Sequence, residues 1–389
     1  MIVYIVATLL SCALAWYAQR QDGNVWLRVA SALPLAMVAA VRWGVGTDMY
    51  YLYLPQFTAV EWFRAGGGAE LAREYFKPLM DGTICPPLQG DPLALAEMFW
   101  RNFNLEEPGY RALFHAIVWC GGSFRWFTII TSLATAALVF SVIWRQSRAP
   151  ALAVYFYVAT SNYFLSLNIV RQYFAIGLVL LAVSYAADRR FWRFVLCLLV
   201  AMLFHKSAIL VFPIWFIPML RIRLWYGFLF VVLALGASVV ISPVLRMVLP
   251  YVGLGIYVKY FETSHAQDGF EWMFFAINIA FMAMGIFYFA RAIAKNHCFA
   301  IWYWMTVLGT VALAFSGTVP LMKRVNYYFA APQFLMIPEM LMAEEKPWLR
   351  RWLTVLAILA FAAETFVAVF LMNKNEPLPY HVCVWGVCG

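Results

Sequence analysis

Charged residues are scarce in this sequence of 389 residues, and hydrophobic residues are in large excess. Asp, Glu, Lys and Arg make up only 12% of the chain, whereas 65% is hydrophobic and 18% is aromatic. One soluble core cannot hide that much apolar surface, so a soluble globular fold is excluded. The composition predicts a polytopic membrane protein whose many Trp and Tyr rings concentrate at headgroup level.

Common metal and nucleotide motifs are also missing. The seven cysteines form no C-x-x-C pair and the five histidines are far apart, so we expect no metal site. No Asp-x-Asp occurs, which argues against a metal-bridged nucleotide-sugar site, and no Gly-Lys-Ser/Thr follows Gly44-Val45-Gly46. The net charge of +9 comes from dispersed Lys and Arg without a basic stripe, so anionic lipid rather than nucleic acid is the expected partner. We expect no cofactor.

Apolar runs of membrane-spanning length recur along the chain. They predict an all-α fold with about 12 transmembrane helices in a single integral membrane domain, residues 1–389. Polar segments interrupt the runs as a long loop at about 49–110 between helices 2 and 3, a second loop at about 242–269 and a tail at 373–389. The long loop is predicted to hold short amphipathic helices without a core of its own.

Basic residues alternate between the short turns. One set of turns carries pairs such as Arg145 with Arg148 and Arg189 with Arg190, and the positive-inside rule assigns this set to the cytoplasm. The loops, both termini and the other turns then lie outside. Five basic residues break the rule. Two explanations for them are open: their side chains snorkel to the headgroups, or they bind an anion. These residues are Arg42, Arg171, Lys206, Lys323 and Arg324.

Residues 166–207 form the stretch around which the chain is organised. Two apolar runs, Tyr173–Ala187 and Phe194–Phe204, predict a transmembrane hairpin with its basic turn at Arg189 and Arg190. Its open ends must lie on the same side of the membrane, and ionisable groups there indicate a functional site. The polar residues at these ends are Asn168, Arg171, Gln172, His205, Lys206 and Ser207.

Structural explanations compete with the functional ones at several positions. The structural alternative for His205 is a core histidine hydrogen-bonded to a carbonyl. For Asp48 it is a turn cap or a partner of Arg42. For Gly44 and Gly46 the structural alternative is that they simply end the helix. Cys383 and Cys388 face an oxidising compartment under the predicted topology, where a small disulfide is an open alternative.

A series of short motifs resembles the EpsG-type branch of the bacterial Wzy-like polysaccharide polymerases. The motifs cover almost the whole chain in order, and this order makes the resemblance fairly specific. They are Arg42-x-x-Val45-Gly46-Thr47-Asp48-x-x-Tyr51, Glu107-Pro108-Gly109-Tyr110, Arg171-Gln172, Phe204-His205-x-Ser207, Arg324-x-x-Tyr327-Tyr328 and Pro379-Tyr380.

The resemblance implies a GT-C-like inner-membrane glycosyltransferase that joins polyprenyl-pyrophosphate-linked oligosaccharide repeats on the periplasmic face, without a metal. Membrane lipids, a chain-length regulator and a flippase of the same pathway would be its partners. The expected residues are His205 or Asp48 as the base, Arg171, Arg324, Arg42 and Lys206 for the pyrophosphate, and Gln172, Tyr327, Tyr328 and Tyr51 for the glycan.

Elementary chemistry agrees with those roles. Guanidinium groups hold phosphate oxygens bidentately and stay charged, so they suit a pyrophosphate leaving group. A histidine with an ordinary pKa of about 6.5 can accept a proton from a sugar hydroxyl. A flippase of the same lipid-linked sugar or a membrane O-acyltransferase are the alternatives. A flippase commonly shows internal repeats, which we do not find here.

Overall fold

The protein is almost entirely helical. A computed structural model describes residues 1–21, 24–81, 87–220, 222–248, 251, 269–384 and 387–388. Its α-helices are α1 (Ile2–Arg20), α2 (Val25–Val41), α3 (Leu54–Arg64), α4 (Ala69–Met80), α5 (Pro92–Asn104), α6 (Pro108–Trp119), α7 (Phe124–Gln146), α8 (Pro150–Ala159), α9 (Asn162–Asn168), α10 (Val170–Ala187), α11 (Phe191–Phe204), α12 (Tyr226–Val248), α13 (Trp272–Ile293), α14 (Cys298–Ala314), α15 (Met322–Ala330), α16 (Gln333–Ala343) and α17 (Pro347–Thr365).

A few other elements complete the fold. A 3-10 helix spans Lys206–Met219, and π-helical turns span Met49–Tyr53 and Phe366–Leu371. Three short strands, β1 (Arg42–Trp43), β2 (His381–Val384) and β3 (Val387–Cys388), form one antiparallel sheet in the order β1-β2-β3.

Five helices are long and apolar enough to cross a membrane by length and composition. They are α1, α7, α10, α13 and α17 with its π-helical extension, and six shorter apolar helices accompany them among the described residues. The all-α multi-pass architecture is therefore as predicted. The count of 12 spans and the GT-C-like fold stay predictions.

Three predicted spans have a different backbone from the one their hydropathy suggested. Residues 152–167 are split into α8 and α9 at Ser161, whose φ is +61°. Residues 328–342 are split into α15 and α16 around Pro332, which has no N–H to continue a helix. The run after His205 is a 3-10 helix containing Pro213 and Pro218. Each break places irregular backbone inside an apolar segment.

The segment between α2 and α7 has its own hydrophobic core, so the expectation that it lacks one is wrong. Phe57, Phe103 and Phe114 from α3, α5 and α6 are buried together, with ring centroids 5.2 Å apart for Phe57–Phe114 and 5.6 Å for Phe103–Phe114. Phe127 of α7 and Val170 of α10 belong to the same cluster. The segment is therefore packed onto the bundle, and the start of α6 lies against the start of α10.

The turns predicted to be cytoplasmic do meet at one end of the bundle. Asp188 accepts from Arg145 at 2.5 Å and contacts His297 Nε2 at 3.1 Å, which joins three of these turns. Nearby, Arg148 pairs with the fully buried Glu339 at 2.6 Å. The open ends of the α10–α11 hairpin lie at the other end. Which end faces the cytoplasm remains a prediction.

The C-terminal tail returns to the N-terminal helices. In the β1–β2 ladder Arg42 is paired with Val382, and the Tyr380 hydroxyl donates to the Val38 carbonyl at 2.7 Å. The Gly46 N–H donates to the carbonyl of Glu376 at 3.2 Å. Cys383 and Cys388 are register partners in β2–β3, but their side chains, like most of the second predicted loop, lie outside the described residues.

Candidate active site

Arg171 lies at the centre of a charged cluster between α6 and α10. Its guanidinium pairs with the carboxylate of Glu106 and, at 2.9 Å, with Glu107 Oε2. The guanidinium also lies 4.7 Å from the centroid of the Tyr110 ring. Glu107 is the N-cap residue of α6, where the helix dipole favours a carboxylate. The arginine is therefore compensated by two acids rather than left open to solvent.

Glu107 connects Arg171 to His205. Its second oxygen, Oε1, lies 3.6 Å from His205 Nδ1 and accepts a hydrogen bond from the Lys206 N–H at 3.3 Å. Glu107 is buried and the His205 side chain is 21% exposed. The carboxylate thus bridges the end of α11 and the start of α10, which are the two open ends of the predicted hairpin.

Tyr328 covers the other side of the histidine. The His205 and Tyr328 rings are nearly parallel, at 18°, with centroids 6.4 Å apart. Ser207 Oγ donates to the Tyr328 hydroxyl at 3.4 Å. Tyr328 is fully buried, so it limits the positions that the imidazole can take.

Burial and charge shift the titration of both candidate bases. Burial lowers the pKa of His205 to about 4, and Arg171 and Arg324 act in the same direction against Glu106. Because Glu107 is already paired with Arg171, its negative charge is largely compensated where it faces the ring. Burial raises the pKa of Asp48 above its ordinary value, opposed by Arg324 and Arg171. The neutral forms of both side chains are therefore favoured.

Arg324 and Lys206 are two exposed cations of this region, and Asp48 lies close enough to Arg324 for their charges to interact. Both side chains are exposed, and neither forms a side-chain hydrogen bond or ion pair within the part of the chain that the structure describes. The Arg324 backbone is held in place, since its carbonyl accepts from Gln172 Nε2 at 2.7 Å. Together with Asp48, these groups face the same polar end of the bundle as His205.

Arg42 has other partners than this cluster. It is only 3% exposed, and its guanidinium donates to the Ala39 carbonyl, to Ser132 Oγ at 2.7 Å and to the Leu167 carbonyl at 3.3 Å. It closes the C-terminal end of α2, and among the described residues it does not pair with Asp48. Instead, the Asp48 N–H donates to Asn168 Oδ1 at 3.1 Å. We do not retain Arg42 as a pyrophosphate ligand.

Two of the predicted glycan-binding tyrosines also lie apart from His205. Tyr51 is 52% exposed in the π-helical turn after Asp48. Tyr327 lines a second cavity on another face of α15. Gln172 is buried and holds the Arg324 carbonyl, which makes it a positioning residue for α15.

Sequence reasoning did not assign a role to Glu106 and Glu107. The signal was present in the Glu107-Pro108-Gly109-Tyr110 motif, because a carboxylate before a proline at a helix start is a typical N-terminus. Gln56 holds Glu106 by a hydrogen bond of 3.1 Å from Nε2 to Oε1. Within the described ranges no three His, Cys, Asp or Glu side chains are grouped as ligands for a metal ion.

Comparison with known protein families gives one match of nearly full length. The model of the EpsG family matches residues 25–382. The chain belongs to the EpsG family. No curated protein and no solved structure matched the chain. The cluster of Arg171, Glu107 and His205 lies inside the matched range, so it is part of the EpsG-family region of the chain.

Proposed function

We propose that this EpsG-family protein is a membrane glycosyltransferase that polymerises polyprenyl-pyrophosphate-linked oligosaccharide repeats. Family membership supports a polysaccharide polymerase. The single observation that carries the reaction type is the contact of Glu107 Oε1 with His205 Nδ1, beside two cations that form no ion pair among the described residues. A half-buried neutral histidine next to exposed guanidinium and ammonium groups fits proton removal from a hydroxyl near a phosphorylated leaving group.

The proposed step is the attack of an acceptor sugar hydroxyl on the anomeric carbon of the donor glycan. The new glycosidic C–O bond forms as the bond from that carbon to the pyrophosphate oxygen breaks. His205 Nε2 accepts the hydroxyl proton, and polyprenyl pyrophosphate leaves with the electron pair of the broken bond. No oxidant, reductant or further reactant is needed.

Each neighbouring group has a role in that step. Glu107 Oε1 would accept the Nδ1–H of His205 and hold the tautomer whose Nε2 is free, and such contacts commonly shorten when substrate binds. Arg324 and Lys206 would bind the pyrophosphate, because both are exposed and neither forms an ion pair within the described part of the chain. Arg171 would hold the carboxylates of Glu106 and Glu107 in place. We infer that the site faces the periplasm of a bacterial inner membrane.

The decisive experiment is polymerisation in vitro. Purified protein in detergent or liposomes is incubated with one purified lipid-linked repeat, and released glycans are separated by size. We expect a ladder of multiples of the repeat with wild-type protein, none with His205→Gln, and a normal ladder with His115→Gln, since His115 packs on Trp100 and Phe103 instead. A glycan that only changes sides, or gains only an acyl mass, contradicts the proposal.

A further inference from the structure

A second cavity lies beside the candidate active site, on another face of α15. Its volume is about 80 Å³. A site for one water needs only about 10–15 Å³, so this cavity can hold a group several times larger than a water molecule. Asn326 and Tyr327 line this cavity, whereas the next residue, Tyr328, contacts His205 and Ser207. A single short helix therefore contributes to both places.

Several side-chain amides lie in a cavity wall that also contains apolar residues such as Leu165, Ile277 and Phe281. Asn278 Nδ2 donates to Asn326 Oδ1 at 3.0 Å, and Gln333 Nε2 donates to Asn278 Oδ1 at 2.7 Å. In this chain of amides, Asn326 uses only its Oδ1 and Gln333 uses only its Nε2. Among the described residues, the Asn326 NH₂ group and Gln333 Oε1 have no further hydrogen-bond partner. The wall thus offers one set of donors and one acceptor to a ligand.

Two buried polar atoms on the same wall lack partners. Glu364 Oε2 and Ser161 Oγ are buried without a hydrogen bond to any residue that the structure describes, and both residues line the cavity. A buried polar atom without a partner costs stability, so an orphan atom in a cavity indicates a missing ligand or water. Ser161 also has a left-handed φ of +61°, which is unfavourable for a serine.

The breaks in both interrupted spans line this cavity. Thr160 and Ser161 come from the α8–α9 break, and Ala331 and Gln333 come from the α15–α16 break. Irregular backbone within the membrane is tolerated where it lines a polar cavity, and discontinuous helices form substrate sites in other membrane proteins. The breaks and the polar wall are therefore parts of one feature.

We propose that this amide-lined cavity binds one sugar residue of the substrate glycan, separately from the pyrophosphate. The inference rests on the proposed function, since it names a subsite of the same substrate. Sugar hydroxyls both donate and accept hydrogen bonds, which matches the paired amides of the wall. The two charged lining residues, Glu364 and Lys374, have opposite signs, so the cavity does not select an anion.

Binding is measured by saturation-transfer NMR with the free oligosaccharide that mild acid releases from the native lipid-linked repeat. Asn326→Leu removes an amide from the wall, and Glu364→Gln replaces the carboxylate, which only accepts hydrogen bonds, with an amide. We expect about tenfold weaker binding by both variants, and an apparent KM for lipid-linked repeat that rises about tenfold with little change in kcat. The matched control is Asn296→Leu, because Asn296 is a buried amide bonded to the Gln146 carbonyl at the opposite end of the bundle.

The outcomes separate this inference from the proposed function. Equal binding by wild type, Asn326→Leu and Asn296→Leu, or no binding by wild type at millimolar oligosaccharide, overturns the inference and makes the cavity a hydrated polar core. Cavity-dependent binding in a protein that never lengthens glycan supports the sugar subsite and contradicts the polymerase reaction. His205→Gln should bind the oligosaccharide normally, because His205 is not a wall residue.

Discussion

Glu107 Oε1 lies 3.6 Å from His205 Nδ1, although the two residues are far apart in the sequence. The acid is fixed by Arg171 and by the Lys206 N–H, so its position is determined before substrate arrives. This arrangement makes Glu107 a positioning residue for the proposed base.

Removing the charge of Glu107 should slow turnover more than it weakens binding. Glu107→Gln keeps the shape but offers a weaker acceptor to His205 Nδ1, so we expect kcat to fall about 10- to 100-fold with little change in KM. Steady-state polymerisation kinetics measure both. Glu97→Gln on the exposed face of α5 is the matched control and should be neutral. A large rise in KM alone would show that Glu107 contacts substrate instead.

The two arginines should respond differently to the same substitution. Arg171→Ala leaves Glu106 and Glu107 without their cation, and breaking such a buried pair costs about 3 kcal/mol of stability. We therefore expect a lower thermal unfolding temperature as well as lost activity. Arg324→Ala should leave the unfolding temperature unchanged and raise KM at least about tenfold, because the exposed guanidinium has no described partner to lose. Equal destabilisation by both would contradict this division of roles.

The pH dependence of turnover should show an acid limb well below neutrality. A general base works only when deprotonated, and burial beside Arg171 and Arg324 lowers the pKa of His205 to about 4. Turnover should therefore stay level from pH 7 to about pH 5.5 and fall as the pH approaches 4. Initial rates in buffers of constant ionic strength test this. A limb near pH 6.5 would mean that the histidine is solvated during the reaction, contrary to its position here.

Contact between α6 and α11 should be sensitive to a single methyl group. A Cβ at Gly109 would lie 2.8 Å from the Leu203 carbonyl, so Gly109→Ala must push apart the helices that carry Glu107 and His205. We expect a loss of about 1–3 kcal/mol in stability and at least about tenfold slower turnover. Gly236→Ala on α12 is the control, because nothing lies within 4 Å of its added methyl. Normal turnover in Gly109→Ala would show that the spacing of α6 and α11 is unimportant.

Hydropathy was enough to predict several of the helices and the meeting of the hairpin ends. The predicted run Val25–Val41 coincides with α2. Arg171 and His205, from the two open ends of the predicted hairpin, both contact the carboxylate of Glu107. The identity of that acid could not be predicted, because Glu107 reaches the site through packing of a separate core built on Phe57, Phe103 and Phe114. Arg42 looked equivalent to the other outer arginines, and only its buried carbonyl partners distinguish it.

The helix breaks were also invisible to a hydropathy argument. A window of apolar residues reports solvent preference and not backbone conformation, so residues 152–167 and 328–342 each scored as one span. Pro332 was a local signal for the second break. The left-handed Ser161 was not predictable, since serine rarely adopts that conformation without support from neighbouring residues.

The hydrogen bond from the Gly46 N–H to the Glu376 carbonyl has a consequence for biogenesis. Asp48 lies only two residues beyond Gly46, so the loop that carries it acquires its last backbone contact from a segment near the end of the chain. During synthesis on the ribosome, α1 and α2 are inserted long before Glu376 exists. The polar end of the bundle is therefore completed only once Glu376 has left the ribosome, and a growing polypeptide would carry no finished site while its later helices are still entering the membrane.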